Sequence, residues 1–199
     1  MPMLTPMTEL DAVNDMLAAI GQAPVSTLSA PGLQDVNIAR TLLTRVLRGV
    51  LTRGWFFNTD AAHVITPDLD GHLLVPSGVL KIDPKEKYTA IVARTHPTKG
   101  RALWNTADQT WVFAEPLEAT VVWGFPFDEL PESAKSYVAI AAGRKFQAQT
   151  IGSSALDGYA EADEQRAWAD LVREDRASRD TNMLRINPAL ARSSSNRSY

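Results

Sequence analysis

A chain of 199 residues with 45% hydrophobic and 22% charged side chains can bury one good core and is marginal for two independent ones, so one compact unit with room for a lobe is expected. A net charge of −3 excludes a protein that grips nucleic acid over its whole surface, because phosphate neutralisation needs clustered Lys and Arg; DNA contact would be local or transient. The lack of cysteine rules out a disulfide frame and a thiolate metal site, and without a signal-like opening or a long apolar run the chain is expected to be made in the cytosol and to avoid membranes.

Thr8 followed by Asp11 reads as a helix cap, and Leu10, Val13, Leu17 and Ile20 then share one helical face until Gly21 and Pro24 stop it. A second helix carries Ala39, Leu42, Leu43, Val46, Leu47, Val50 and Leu51 as its apolar stripe, with Arg40, Arg45, Arg48 and Arg53 largely off it. Gly49 inside this helix costs roughly 1 kcal/mol relative to Ala, so a neighbouring backbone is expected to pass close there.

From Gly54 the texture changes. Trp55-Phe56-Phe57, His63-Val64-Ile65, Leu73-Leu74-Val75, Tyr88 to Val92, Thr110 to Phe113 and Ala119 to Trp123 are short, β-branched or aromatic runs separated by turn residues. Asp70-Gly71 is a hairpin signal and Asn105 to Asp108 a further turn. Helical character returns at Leu130-Pro131-Glu132 and again from about Leu156 to Arg176. The order helices, strands, helices predicts an α+β fold: a helical bundle built from N- and C-terminal helices with an inserted antiparallel β lobe. The expected divisions are 1–54 and 128–180 for the two helical parts, 55–127 for the β lobe and 181–199 for a basic, flexible tail. From Arg176 onward five arginines face Asp180 alone; that end carries +4 and the rest of the chain −7.

Candidate chemistry is thin. His63 and His72 would need to face each other across Asp70-Gly71 to begin a metal site, and His96 is the third histidine, but no further ligand spacing supports one. Asp68 with Asp70, or Asp128 with Glu129, have the residue types of a glycosidase pair and equally those of turns and helix caps. Trp55, Phe57, Trp104, Trp111 and Trp123 are expected to form the inward face of the β lobe rather than a stacking platform for sugars or bases. Four arginines without an acidic residue between Ala39 and Gly54 form an uncompensated patch, which suits either solvent or a partner. Neither a catalytic residue, a cofactor nor a metal is assigned.

The stretch ELDAVNDMLAAIGQAPVSTL, with Ala12-Val13-Asn14, Ile20-Gly21 and Pro24-Val25, resembles the opening of the tail tubular protein A family of short-tailed, podovirus-type bacteriophages. NIARTLLTRVLRGVLTRGWFFN resembles that family's second helix and its exit at Arg53, Gly54, Trp55, Phe57 and Asn58. Leu130-Pro131-Glu132, then Ala142, Arg144 and Phe146, then Asn182-Met183-Leu184 follow in the family's order, whereas residues 61–127 match only in character. The resemblance implies a structural virion protein: an adaptor ring, dodecameric in the family, at the head-tail junction. It would join the portal protein to the tail nozzle protein and line part of the genome ejection channel, with only transient, nonspecific contact with viral DNA. Synthesis in the host bacterial cytoplasm, no membrane partner and no cofactor go with that role.

The subunit or portal interface is expected at Arg40, Arg45, Arg48, Arg176, Arg179, Asn182, Met183, Leu184 and Arg185. The rival readings are a tail-associated carbohydrate or peptidoglycan hydrolase, which predicts a cleft with a carboxylate pair of perturbed pKa, and a DNA-binding module that uses the basic tail.

Overall fold

The computed structural model describes residues 4–29, 34–85, 90–150, 152 and 154–186. The chain divides into two compact units, one formed by Met1–Leu47 with Pro126–Tyr199 and the other by Arg48–Phe125. In chain order the elements are α1 (Glu9–Ala19), α2 (Gln34–Leu51), β1 (Thr59–Ile65), β2 (Val79–Pro84), β3 (Ile91–His96), β4 (Gly100–Asn105), β5 (Leu117–Trp123), α3 (Glu132–Thr150) and α4 (Ser154–Ile186). The α+β class and the antiparallel pairing of every strand agree with the sequence.

In the helical unit, Thr8 caps α1 through a reciprocal box: its hydroxyl accepts from Asp11 N at 3.2 Å, and the Asp11 carboxylate accepts from Thr8 N at 2.9 Å. Those hydrogen bonds hold the Asp11 carboxyl below its ordinary pKa. Gly21, at φ 77°, closes the helix C-terminus as its spacing predicts. The start of α1 is tied to the start of α3 by three further groups. Asp128 accepts from Glu9 N at 2.7 Å, Glu132 accepts from Met7 N at 3.3 Å, and buried Lys135 donates from Nζ to Met7 O at 2.9 Å. Asp128 therefore caps α1, not the helix that follows it in sequence.

Helix α3 packs on α4 and on α1. The Tyr137 and Trp168 rings meet at 5.0 Å, and Arg144 reaches Glu164 at 3.1 Å and Glu161 at 3.6 Å. The core is formed by Val13, Met16, Leu17, Leu43, Val138, Ala142, Phe146 and Leu171. Helix α4 continues through Ile186, ten residues past the end expected at Arg176. Asn182 to Arg185 thus lie on this helix; of the tail expected from residue 181, 187–199 lie outside the described residues. Gly49 has open space where a side chain would stand, so the close backbone approach expected there is not found among the described residues.

In the β unit, β5 is the central strand of a three-stranded antiparallel sheet ordered β1-β5-β2, and β3 pairs with β4 as a hairpin. Ile65, Leu73, Val79, Leu103, Leu117 and Val121 fill the core between them. The expected strand Trp55-Phe56-Phe57 is instead a turn, and its cause is Asn58. This buried amide accepts from Trp55 N at 2.7 Å and donates to Leu51 O at 3.0 Å and to Trp123 O at 2.7 Å. Trp55 adds a bond from Nε1 to Val50 O at 2.8 Å. Gly54 sits at φ 80°, and a Cβ there would stand 3.1 Å from Thr59 Oγ1 and 3.2 Å from Val122 Cγ2.

Asn58→Ala leaves two carbonyls and one amide of this junction without their partner, at about 1–3 kcal/mol for each buried group. The expected result is a loss of about 3 kcal/mol or more, seen as a lower urea midpoint when unfolding is followed by tryptophan fluorescence. An unchanged midpoint would show that water replaces the amide without cost.

Candidate functional site

The arginines of α2 separate into two kinds. Arg40 is compensated: its Nε lies 3.0 Å from Glu9 Oε1, which ties α2 to the start of α1. Arg45 and Arg48 are exposed, and Arg45 stands at the rim of a groove of about 640 Å³ with Asn37, Ile38, Thr41, Leu42 and Gln149. On α4, Arg179 is engaged by Asp175 at 2.9 Å, one turn away, and Arg176 is exposed. Asn182, Met183, Leu184 and Arg185 lie on the same helix, with side chains outside the described residues. The sequence-predicted interface residues therefore fall on two helices, α2 and α4, of which Arg45, Arg48 and Arg176 are exposed and have no ion-pair partner among the described residues.

The histidines are not brought together as a pair across Asp70-Gly71. His63 packs its ring against Trp123 at 5.5 Å, whereas His72 meets His96 at 4.9 Å. The strand expected to return from that hairpin pairs elsewhere: Leu73 O accepts from Leu103 N, and Val75 N donates to Arg101 O, each at 2.9 Å. The β1 strand finds its partner in β5.

Asp68 organises the turn itself. It accepts from Asp70 N at 2.9 Å and from His72 N at 2.8 Å, while its own N donates to His72 O at 2.9 Å. Lys99 Nζ then bridges the Asp68 carboxylate, at 2.7 Å, to that of Asp70. Lys99 is aimed by the turn between β3 and β4, where His96 Nδ1 accepts from Thr98 N and Lys99 N, both at 3.2 Å.

Asp68, Asp70 and His72 have the residue types and the proximity of a cation site. The ammonium of Lys99 already supplies the positive charge there. It also holds the Asp68 carboxyl well below its usual range, helped by the His72 N–H, and the Asp68 and Asp70 carboxylates in turn raise the Lys99 pKa above the ordinary 10.5. A carboxyl held ionised is the opposite of the general acid that glycoside cleavage needs. The second pair expected as an alternative, Asp128 and Glu129, contains the residue that caps α1.

Two tryptophans depart from the expected inward face. Trp55 is buried and Trp123 packs against the β core, but Trp104 and Trp111 stack on each other at 4.8 Å, with His96 against Trp111 at 4.9 Å and the Arg94 guanidinium 5.9 Å from the Trp104 ring. The sequence does not reveal Lys99 as the brace of the 68–71 turn, since its partners lie 31 and 29 residues away. Nor does it single out Leu69, which that brace leaves fully exposed at the tip. The Asp-x-Asp-Gly run is the available local signal.

What the fold defines is a mixed α+β protein whose distinctive groups are braces and exposed surfaces. The family described as tail tubular protein matches residues 10–181, and the chain belongs to that family, whose members are structural proteins of phage tails. A relative, tail tubular protein A of Klebsiella phage KP34, is 32% identical over 133 residues, which is 67% of this chain and 68% of that protein. The chain is therefore a virion tail component. No helix among the described residues is long and apolar enough to cross a membrane.

A Lys99→Met chain should show the Asp68 carboxyl titrating nearer its ordinary 3.8 than the wild type does, as followed by carboxyl-carbon NMR. Because the folded-state pKa is depressed, the stability that the bridge contributes is present above the ordinary carboxylate range. The gap between the two proteins should hold from about pH 5 to 7 and close as pH falls below about 4. Identical Asp68 titrations would show that the bridge does not set its charge.

Proposed function

We propose that the chain is the adaptor of a short-tailed phage, a ring subunit that joins the portal at the capsid vertex to the tail nozzle and forms part of the genome ejection channel. The observation that carries this reading is the extent of the family match: residues 10–181 take in both helical segments and the β lobe, so the whole body and not one local motif is shared. The role is structural and requires neither catalysis nor a cofactor.

Three physical features support it. A ring subunit needs two different side surfaces that close by rotation, plus faces toward the rings above and below, and a helical body with a separate β lobe offers them. Arg45 and Arg48 expose charge on α2 where Arg40 does not, and in this reading they meet the portal or a neighbouring copy. Each chain carries a net −3, so a ring of copies repels a passing duplex instead of holding it through many phosphate contacts. Contact with viral DNA is transient and nonspecific, and assembly follows synthesis in the bacterial cytoplasm. The basic C-terminal end, from Arg176 through Arg185 and beyond, completes the contact with the portal.

Purified chain mixed with the portal ring of the same phage should co-sediment in stoichiometric amount and appear in negative-stain micrographs as a new tier beneath the portal. Charge reversal at Arg45 and Arg48 together should weaken that binding, as should deletion of residues 182–199. Failure of the wild-type chain to co-sediment at any salt concentration overturns the adaptor reading. Normal assembly of the charge-reversed chain removes α2 from the interface, and normal portal binding by the truncated chain removes the C-terminal end.

A further inference from the structure

Leu69 stands at the tip of the 68–71 turn with its whole side chain in solvent, at 106% relative exposure. A single exposed leucine is ordinary on a protein surface. What sets this one apart is the stiffness of its mount. Asp68 takes two backbone amides of the turn, Lys99 bridges the carboxylates on either side of Leu69, and Gly71 holds φ 81°, where a Cβ would stand 2.8 Å from Val112 Cγ1. A loop ordered before it binds loses little further entropy on binding, which favours an anchor.

The groove on α2 has the complementary character. Ile38 and Leu42 give it an apolar floor, Asn37, Thr41 and Gln149 a polar wall, and its volume of about 640 Å³ admits a leucine together with the turn that carries it. At its rim Arg45 is exposed and has no ion-pair partner among the described residues. Asp70, beside Leu69, is 66% exposed and uses Oδ2 for Lys99, which leaves Oδ1 for a cation.

We propose that Leu69 is the anchor of a contact between subunits, seated between Ile38 and Leu42 in the α2 groove of a second copy of this chain, with Asp70 paired to that copy's Arg45. The contact rests on the ring reading above. A knob and a groove on different surfaces make a head-to-tail contact, the kind that closes a ring, whereas a two-fold dimer sets one patch against itself.

The chain contains no cysteine, so the contact can be tested with introduced pairs. Leu69→Cys combined with Thr41→Cys, treated with a short bismaleimide in the portal-bound assembly, should give a ladder of covalent multimers, and each single variant should not. Leu69→Ser, on an exposed turn, should leave the unfolding midpoint unchanged and raise the concentration needed for ring formation about tenfold, the effect expected for one buried leucine; Arg45→Glu should act in the same direction. A ring visible in micrographs without the multimer ladder, or one that forms normally from Leu69→Ser, overturns the contact and leaves the adaptor reading standing. Cross-linking of Leu69→Cys to the portal or nozzle protein overturns the assignment to a second copy. Absence of any ring from the wild-type chain overturns both.

Discussion

The carboxamide of Asn58 joins three backbone segments that would otherwise end unsatisfied: the last turn of α2 at Leu51, the turn that begins at Trp55, and the end of β5 at Trp123. Its third partner is 65 residues distant, so one side chain closes the β unit's chain path at its two ends. A buried amide in such a place has few substitutes. A carboxylate lacks the two donated bonds, an aliphatic chain lacks all three, and a longer glutamine places the head group a methylene too far out. The Trp123 N–H returns a bond to Asn58 O at 2.8 Å, which places β5 where β1 and β2 add to its two edges. The order of the sheet follows from that placement.

The helical unit uses the same device. Asn14 on α1 donates to Val25 O at 3.1 Å and accepts from Val25 N at 2.8 Å, so the loop after the helix is bonded back as though to a strand. Asp128, Glu132 and Lys135 do the equivalent for the segment before it. A long connection held by side-chain amides and charges needs no further secondary structure, which is how a chain of this length keeps loops ordered beside a modest core.

These braces explain what is legible in the sequence. The resemblance rests on Asn14 with Val25, on Gly54, Trp55 and Asn58, and on Ala142, Arg144 and Phe146. Asn14 and Val25 make the loop clip, and Gly54, Trp55 and Asn58 make the junction between the end of α2 and the strands. On the seam of α3, Ala142 and Phe146 are wholly buried and Arg144 pairs across to α4. Helices read well because their apolar period is local. The strands read less well: β2 and β4 give no clear signal, since Lys81 and Asp83 interrupt one run and Arg101 and Ala102 weaken the other. The Trp55-Phe56-Phe57 run has strand composition, but a single buried amide outweighs propensity there. Composition ends α4 too early because a basic, polar stretch reads as tail, and charges paired at helical spacing, such as Arg173 with Asp170 and Arg179 with Asp175, support a helix equally well. The candidate interface is legible only as residue types; which arginines are spent within the fold depends on residues such as Glu9, far from Arg40 in sequence.

That distinction between spent and open charge bears on assembly. Along α4 the exposed arginines Arg166 and Arg173 each face an aspartate on their own helix, and Arg144 is divided between two glutamates. A partner that approached this surface would have to compete with pairs already made. Such pairs are individually weak in water, yet they cancel the field a partner would read at a distance. Arg45 and Arg48 on α2 are exposed and have no such partner among the described residues, so their charge stands uncancelled there. On the adaptor reading proposed above, a few uncancelled charges on a helix would guide the encounter with a partner, and apolar contacts made after docking would then set how long the complex lasts.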